Sequence, residues 1–219
     1  MTDLASLHVC VITARQDALD RDHVTVARDA LRGGADMIQL REKHGSLRDL
    51  LPEALAIRAL CRAHGALFIV NDRIDLALAV DADGAHVGQE DLPATAARRL
   101  LGNRLLGVST HDRRQAEAAI HAGADYIGFG PIFGTSSKET GYTPRGLTML
   151  EEVRHTVRLP LVAIGGITLE NVASVIGAGA TAPAVISAIA GAPDVAEAAR
   201  QFRAEVVRAK AARLGQKVS

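Results

Sequence analysis

The chain has 219 residues, of which 48% are hydrophobic but only 3% aromatic, with no Trp, so its core must be built from Val, Ile, Leu and Ala, as in layered α/β structures. Its 25 basic side chains balance 25 acidic ones, which excludes the broad basic face that nucleic-acid binding needs but not a small local basic site. No apolar run approaches the roughly 20 residues of a membrane span, the N-terminus shows no basic and apolar leader pattern, and Cys10 and Cys61 lie far apart, outside any pairing motif. Buried free thiols in a soluble, cytoplasmic protein are the expectation.

In chain order, short apolar runs alternate with helical patterns. His8 to Thr13 reads as a buried strand. Asp22 to Arg32 reads as a helix, with Val26, Ala30 and Leu31 on one face and Gly33-Gly34 ending it. Met37 to Leu40 is the next strand, and Ser46 caps a helix running to His64, which either kinks at Pro52 or starts just before it. Leu67 to Val70 is a strand, Ile74 to Val80 a short helix, and Gly84 to Val87 a strand. Pro93 to Leu101 is a helix with proline at its start. Leu105 to Val108 is a strand, and Asp112-x-x-Gln115 has the form of a capping box for a helix ending near Gly123. Asp125 to Phe129 is a strand, followed by a long loop through Gly134, Thr135, Ser136, Ser137 and Lys138. A helix over Leu147 to Val157, a strand over Leu161 to Ile164, a helix capped by Thr168 and a strand over Ala184 to Ile186 complete the alternation. The last helix begins near Pro193, with Val195, Ala199, Phe202 and Val206 at helical spacing, and the tail after Ala209 is expected to fray.

This alternation predicts a parallel sheet. Eight strand–helix units in this length suit an α/β fold of the (β/α)8 TIM barrel type, one domain over residues 1–219 with its ordered core at about 8–208. A doubly wound open sheet is the alternative, but it usually has fewer strands, and no dinucleotide fingerprint follows the first strand.

In a barrel, active-site groups sit where strands end and βα-loops begin. Those positions carry Gln39, Arg41 and Lys43; Asn71 and Asp72; Gln89, Glu90 and Asp91; Ser109; Thr135, Ser137 and Lys138; Gly165-Gly166; and Ser187. The opposite ends carry ordinary turn residues such as Asp36, Asp83 and Asp125. Arg41, Lys43 and Lys138, with Asn71 as a neutral donor, suit a multiply charged phosphate ester. Asp72 and Asp91 are hard oxygen ligands on adjacent strand ends and point to Mg²⁺ completed by phosphate oxygens and water; the alternative is that each caps a helix, and Glu90 rivals Asp91. Glycines after the seventh strand and Ile186-Ser187 after the eighth fit a second anion subsite. Two phosphorylated small molecules, or one long one, are implied. The eight histidines show no metal-ligand spacing, His86 reads as a packed barrel residue, and Ser109 has no base adjacent in sequence. The absence of a general base fits a reaction driven by charge stabilisation, such as loss of pyrophosphate.

Taken together, Gln39-Leu-Arg-Glu-Lys43, Asn71-Asp72, Asp83 through Asp91, Gly107-Val-Ser109, Gly130-Pro-Ile-Phe133, Ile164-Gly-Gly-Ile167 and Val185 through Ile189 resemble the thiamine phosphate synthase family, in order, from about Val9 to Phe202. The resemblance implies a (β/α)8 barrel that joins hydroxymethylpyrimidine diphosphate to hydroxyethylthiazole phosphate, releasing pyrophosphate by a dissociative route. It implies that Gln39, Leu40, Arg41, Glu42, Lys43 and Asn71 contact the pyrimidine diphosphate, with Lys138 also on the diphosphate, and that Asp72 and Asp91 hold Mg²⁺. It places Ser109 by the pyrimidine and its leaving group, and Thr135, Ser136, Ser137, Gly166, Ile186 and Ser187 on the thiazole phosphate. Arg41, Lys43, Ser109 and Lys138 are the residues it implies for catalysis. Expected partners are these small molecules, with no nucleic acid or membrane; a homo-oligomer is an open expectation.

Two departures from the family pattern stand out. Gly134 replaces a proline before Thr135, and Ala182-Pro183 replaces a small or glycine–valine pair, with Pro183 expected as the first residue of its strand. The related thiazole tautomerases place a catalytic His where Pro131 stands and lack the full diphosphate set; a non-catalytic sensor would have lost cationic or metal-binding residues that are present here.

Overall fold

The computed structural model describes residues 3–15, 19, 21–43, 45–134 and 141–216. Thr135, Ser136, Ser137 and Lys138 lie outside these residues. Eight strands, β1 (Cys10–Ile12), β2 (Met37–Leu40), β3 (Leu67–Asn71), β4 (Gly84–Val87), β5 (Leu105–Thr110), β6 (Tyr126–Phe129), β7 (Leu161–Ile164) and β8 (Ala182–Val185), form a closed parallel barrel in sequence order, with β8 pairing back onto β1. Around it lie α1 (His23–Arg32), α2 (Leu47–His64), α3 (Ile74–Ala79), α4 (Ala94–Leu101), α5 (Arg113–His121), α6 (Gly146–Thr156), α7 (Val172–Gly177), α8 (Ser187–Ala190) and α9 (Val195–Gln216). The open-sheet alternative is thereby excluded.

The strand pleat divides the core in two. Val11, Ile38, Leu40, Phe68, Val70, Ala85, Val108 and Ile127 point outward and pack with the helices. Cys10, Ile12, Met37, Leu67, Ile69, Tyr126, Val162, Ala182 and Ala184 point inward and plug the barrel. Aspartates just before β2, β4 and β6 close its lower rim. Asp36 accepts the His8 and Val9 N–H groups at 2.8 and 3.1 Å, Asp83 that of Phe68 at 2.8 Å, and Asp125 that of Leu106 at 2.7 Å. Each also meets an arginine from the helical layer: Arg203 at 2.6 Å, Arg58 at 3.2 Å and Arg98 at 2.9 Å respectively. What read as turn chemistry satisfies strand donors that would otherwise be buried without partners.

Several boundaries differ from expectation. α2 is continuous through Pro52, with the Ser46 hydroxyl accepting from the Asp49 N–H at 3.2 Å. Asp112 caps α5 through the Gln115 N–H at 2.8 Å, but Gln115 returns to the His111 N–H rather than to Asp112. Thr168 opens a turn closed by Asn171, and α7 starts only at Val172. β8 starts two residues earlier than predicted, so Pro183 lies within it, opposite Ala163. Ile186 and Ser187 then leave the strand and open the short α8, an element the periodicity did not reveal. The expected fraying after Ala209 is not seen: α9 continues to Gln216, and Arg213 donates to the Ile176 carbonyl at 2.8 Å.

Candidate active site

A cavity of about 290 Å³ opens at the C-terminal ends of the strands. Its wall is set by the inward phase of the pleat: Gln39 on β2, Asn71 on β3, His86 on β4, Ser109 on β5 and Gly128 on β6 all line it, above a floor that includes Cys10, Tyr126 and Val162. Of the predicted site residues, Arg41, Gly166, Ile186 and Ser187 also line it.

Arg41 sits just past β2, and its backbone N–H reaches the Thr13 hydroxyl at 3.4 Å. Its Nε is buried with no hydrogen-bond partner among the described residues, a property it shares with Arg58, Arg98, Arg104 and Arg145; what sets Arg41 apart is that it lines the cavity. Lys43 Nζ contacts Asp72 Oδ2 at 2.8 Å. Asp72 has a left-handed backbone, φ 62°, uncommon outside glycine though tolerated by aspartate. Its N–H donates to the His86 carbonyl at 2.8 Å, which anchors the end of β3 to β4. Asp91 accepts from the Gly88 N–H at 2.7 Å. Burial, and next its contact with Asp72, hold the Asp91 carboxyl above its usual range. Two carboxylates so placed gain from a shared cation, with ligand oxygens and water completing its shell. Among the described residues no group of three or more His, Cys, Asp or Glu side chains could hold a metal, so any ion here depends on such outside ligands. Glu90, the rival to Asp91, is exposed.

Two residues of the predicted contact set face elsewhere. Leu40 is 1% exposed and belongs to the outer core, because it is one pleat step from Gln39. The Glu42 side chain turns to His23 Nε2 at 3.2 Å and Arg15 Nε at 3.4 Å. The buried His23 in turn meets the Thr13 hydroxyl through Nδ1 at 2.8 Å. This Thr13–His23–Glu42 set braces the segment after β2 from beneath.

The subsite after β7 depends on glycine. Gly165 and Gly166 have φ 99° and 63°, and a Cβ on Gly166 would come within 2.4 Å of the Gly134 carbonyl oxygen. The loop after β6 therefore packs directly on this backbone, with Phe133 N–H donating to the Gly165 carbonyl at 3.0 Å. Asn171 Nδ2 holds the Gly166 carbonyl at 2.9 Å.

His86, Tyr126 and His111, none of them expected in the site from the sequence, also line the cavity. His86 Nε2 lies 2.8 Å from Ser109 Oγ and its Nδ1 lies 3.1 Å from the Tyr126 hydroxyl. His86 is thus packed as expected, yet it also supplies Ser109 with the ring nitrogen that no sequence neighbour provided. His111 lines the cavity, meets the Gly130 carbonyl through Nδ1 at 2.5 Å and stacks on Tyr142 with ring centroids 3.7 Å apart. The signal for His86 and Tyr126 was present in the strand phase, since each shares an inward register with predicted site residues.

Known proteins resemble this chain over most of its length. The thiamine monophosphate synthase family is matched over residues 9–189. The chain is 52% identical over 196 residues to the thiamine-phosphate synthase of Chloroflexus aurantiacus, covering 90% of this chain and 91% of that one. It is 53% identical over 191 residues to that of Moorella thermoacetica, covering 87% and 91%. The solved thiamine phosphate pyrophosphorylase from Pyrococcus furiosus superimposes with a TM-score of 0.87 at 38% identity, covering 94% of this chain and 98% of that one. A 3-hexulose-6-phosphate synthase, at 21% identity and TM-score 0.67, shares the fold.

Proposed function

The chain belongs to the thiamine monophosphate synthase family, and from that membership we propose how its own residues carry out the reaction. It is a transferase acting as a thiamine-phosphate synthase, joining a pyrimidine and a thiazole unit. In our reading the pyrimidine diphosphate enters with its ring against Gln39, its diphosphate toward Arg41, Lys43 and Asn71, and Ser109 beside both the ring and the leaving group. Lys138, which lies outside the described residues, is assigned to the same diphosphate. The observation that carries this is one cavity at the strand ends whose wall brings together Gln39, Arg41, Asn71 and Ser109.

The bond between the pyrimidine methylene carbon and the bridging oxygen breaks, and its electron pair leaves with pyrophosphate. The thiazole nitrogen then donates its lone pair to the methylene carbon. Neither step requires a protein base, which suits a site whose contribution is positioning and charge. The paired carboxylates fit a divalent cation, and Asp72 and Asp91 would hold Mg²⁺, which supplies positive charge to the departing diphosphate. The thiazole phosphate is assigned to Gly166, Ile186 and Ser187 together with Thr135, Ser136 and Ser137.

The test mixes the purified protein with both substrates and Mg²⁺ and follows pyrophosphate and thiamine phosphate. Release that requires both substrates and stops on chelation is expected. No product with all components present would refute the synthase reading, and undiminished turnover in chelator would refute the metal assignment.

A further inference from the structure

The polar row buried under the cavity has a defined direction. Tyr126 is 1% exposed at the barrel floor, and burial pushes its phenol well above the usual range, so the hydroxyl keeps its proton and needs an acceptor. The hydroxyl has two side-chain partners, Gln39 and His86 Nδ1 at 3.1 Å; with the Gln39 amide N–H donating to the phenol oxygen, His86 Nδ1 is the acceptor in place for its proton. A phenol is a better donor than an imidazole N–H, and an imidazole nitrogen a better acceptor than a phenol oxygen. The favoured arrangement therefore has Tyr126 donating to Nδ1, which leaves the ring proton on Nε2. That N–H points at Ser109 Oγ, 2.8 Å away, and donates to it. The Ser109 proton must then point away from His86, and Ser109 lines the cavity. The Ser109 backbone is itself fixed, its carbonyl accepting from Gln89 Nε2 at 2.6 Å.

The chain makes room for this pair at two positions. A Cβ on Gly107 would lie 2.2 Å from Tyr126 Cζ and 2.4 Å from His86 Nδ1, and one on Gly128 would lie 2.9 Å from His86 Cε1. Two side chains are thus absent from the barrel interior where the Tyr126 and His86 rings sit.

We propose that His86 and Tyr126 are positioning residues that hold the Ser109 hydroxyl as an obligate hydrogen-bond donor toward the departing diphosphate. The proposal rests on the synthase reading. No proton is transferred; the relay orients one donor where negative charge grows as the carbon–oxygen bond breaks. Without Tyr126's hydroxyl, His86 is free to carry its proton on Nδ1, Nε2 becomes an acceptor, and Ser109 turns its proton inward and away from the substrate.

The experiment measures kcat and KM for pyrophosphate release in the wild type, Ser109→Ala, Tyr126→Phe, His86→Gln and two double variants, with thermal melting of each. Loss of a donor to developing charge lowers kcat by about 100-fold for Ser109→Ala; we expect about tenfold for Tyr126→Phe, with KM for the pyrimidine diphosphate little changed. Tyr126→Phe combined with Ser109→Ala should be no slower than Ser109→Ala alone. His86→Gln keeps an amide N–H toward Ser109 that does not depend on Tyr126, so Tyr126→Phe should have no further effect in that background. Multiplicative losses in either double variant, or an effect confined to KM, would overturn the proposal. If Tyr126→Phe melts early, His86→Gln against His86→Leu makes the same comparison: retention by Gln and loss by Leu supports the relay, and equal loss overturns it. A wild type that releases no pyrophosphate refutes the synthase reading instead, so the two failures are distinct.

Discussion

At the scale of single residues, the site is assembled from side chains whose local conformation runs against stability. Asp72 holds a left-handed backbone that glycine adopts without strain, and it stands against a second carboxylate. Asp72→Gly is therefore expected to abolish turnover while keeping or raising thermal stability by about 1 kcal/mol. A melting temperature well below the wild type would mean that the Lys43–Asp72 pair, rather than function, accounts for the aspartate. Gly134 is the reverse case. A Cβ there meets nothing within 4 Å, so nothing in the structure forbids a side chain at this position. Gly134→Pro should leave kcat equal or better, because a stiffer loop loses less entropy on ordering; a marked fall in kcat/KM for the thiazole phosphate would show that glycine is required.

At the scale of elements, the segment after β2 carries Arg41 and Lys43 but is held by groups beneath it. Thr13, His23 and Glu42 form a buried polar bracket that reaches the Arg41 N–H. Glu42→Ala removes one partner of a nearly buried histidine, and it is expected to raise KM for the pyrimidine diphosphate several-fold while changing kcat less. An unchanged KM would place Glu42 outside the positioning of Arg41. β8 shows a different compromise. Pro183 stands opposite Ala163, between the Val162–Ala182 and Ile164–Ala184 pairs, so a residue without an N–H is accommodated inside the strand rather than as its first residue.

At the scale of the whole molecule, the two barrel ends divide labour. The upper end holds the strained and desolvated groups of the site, and the lower end holds Asp36, Asp83 and Asp125 on strand donors and arginines. Asp125→Ala should destabilise the protein by about 1–2 kcal/mol, by leaving the Leu106 N–H without its partner, with kcat unchanged in the folded enzyme. Loss of activity at full stability would contradict that division. Burial also silences both thiols: it pushes Cys10 and Cys61 up to about 12. Since the thiolate is the reactive form and a raised pKa keeps it scarce at neutral pH, Cys61, packed in the outer core, should not react with a disulfide reagent until the barrel is unfolded, and Cys10, on the cavity floor, should react only slowly.

Much of this was legible in one dimension. Strand–helix alternation, with polar residues gathered at one end of each strand, determined the barrel and the end on which its site lies, because a parallel strand delivers its last residue to one rim of the sheet. It also identified Gln39, Arg41, Asn71, Ser109 and Gly166, which do line the cavity. What the local pattern could not supply was contact between side chains on different strands. Leu40 and Glu42 share the Gln39-to-Lys43 motif, yet pleat and bracket turn them elsewhere. His86 and Tyr126 are 40 positions apart in sequence but 3.1 Å apart in space, because closing the sheet brings β4, β5 and β6 side by side. Only that closure decided what Ser109 faces, since the nitrogen beside its hydroxyl belongs to a neighbouring strand and not to its own.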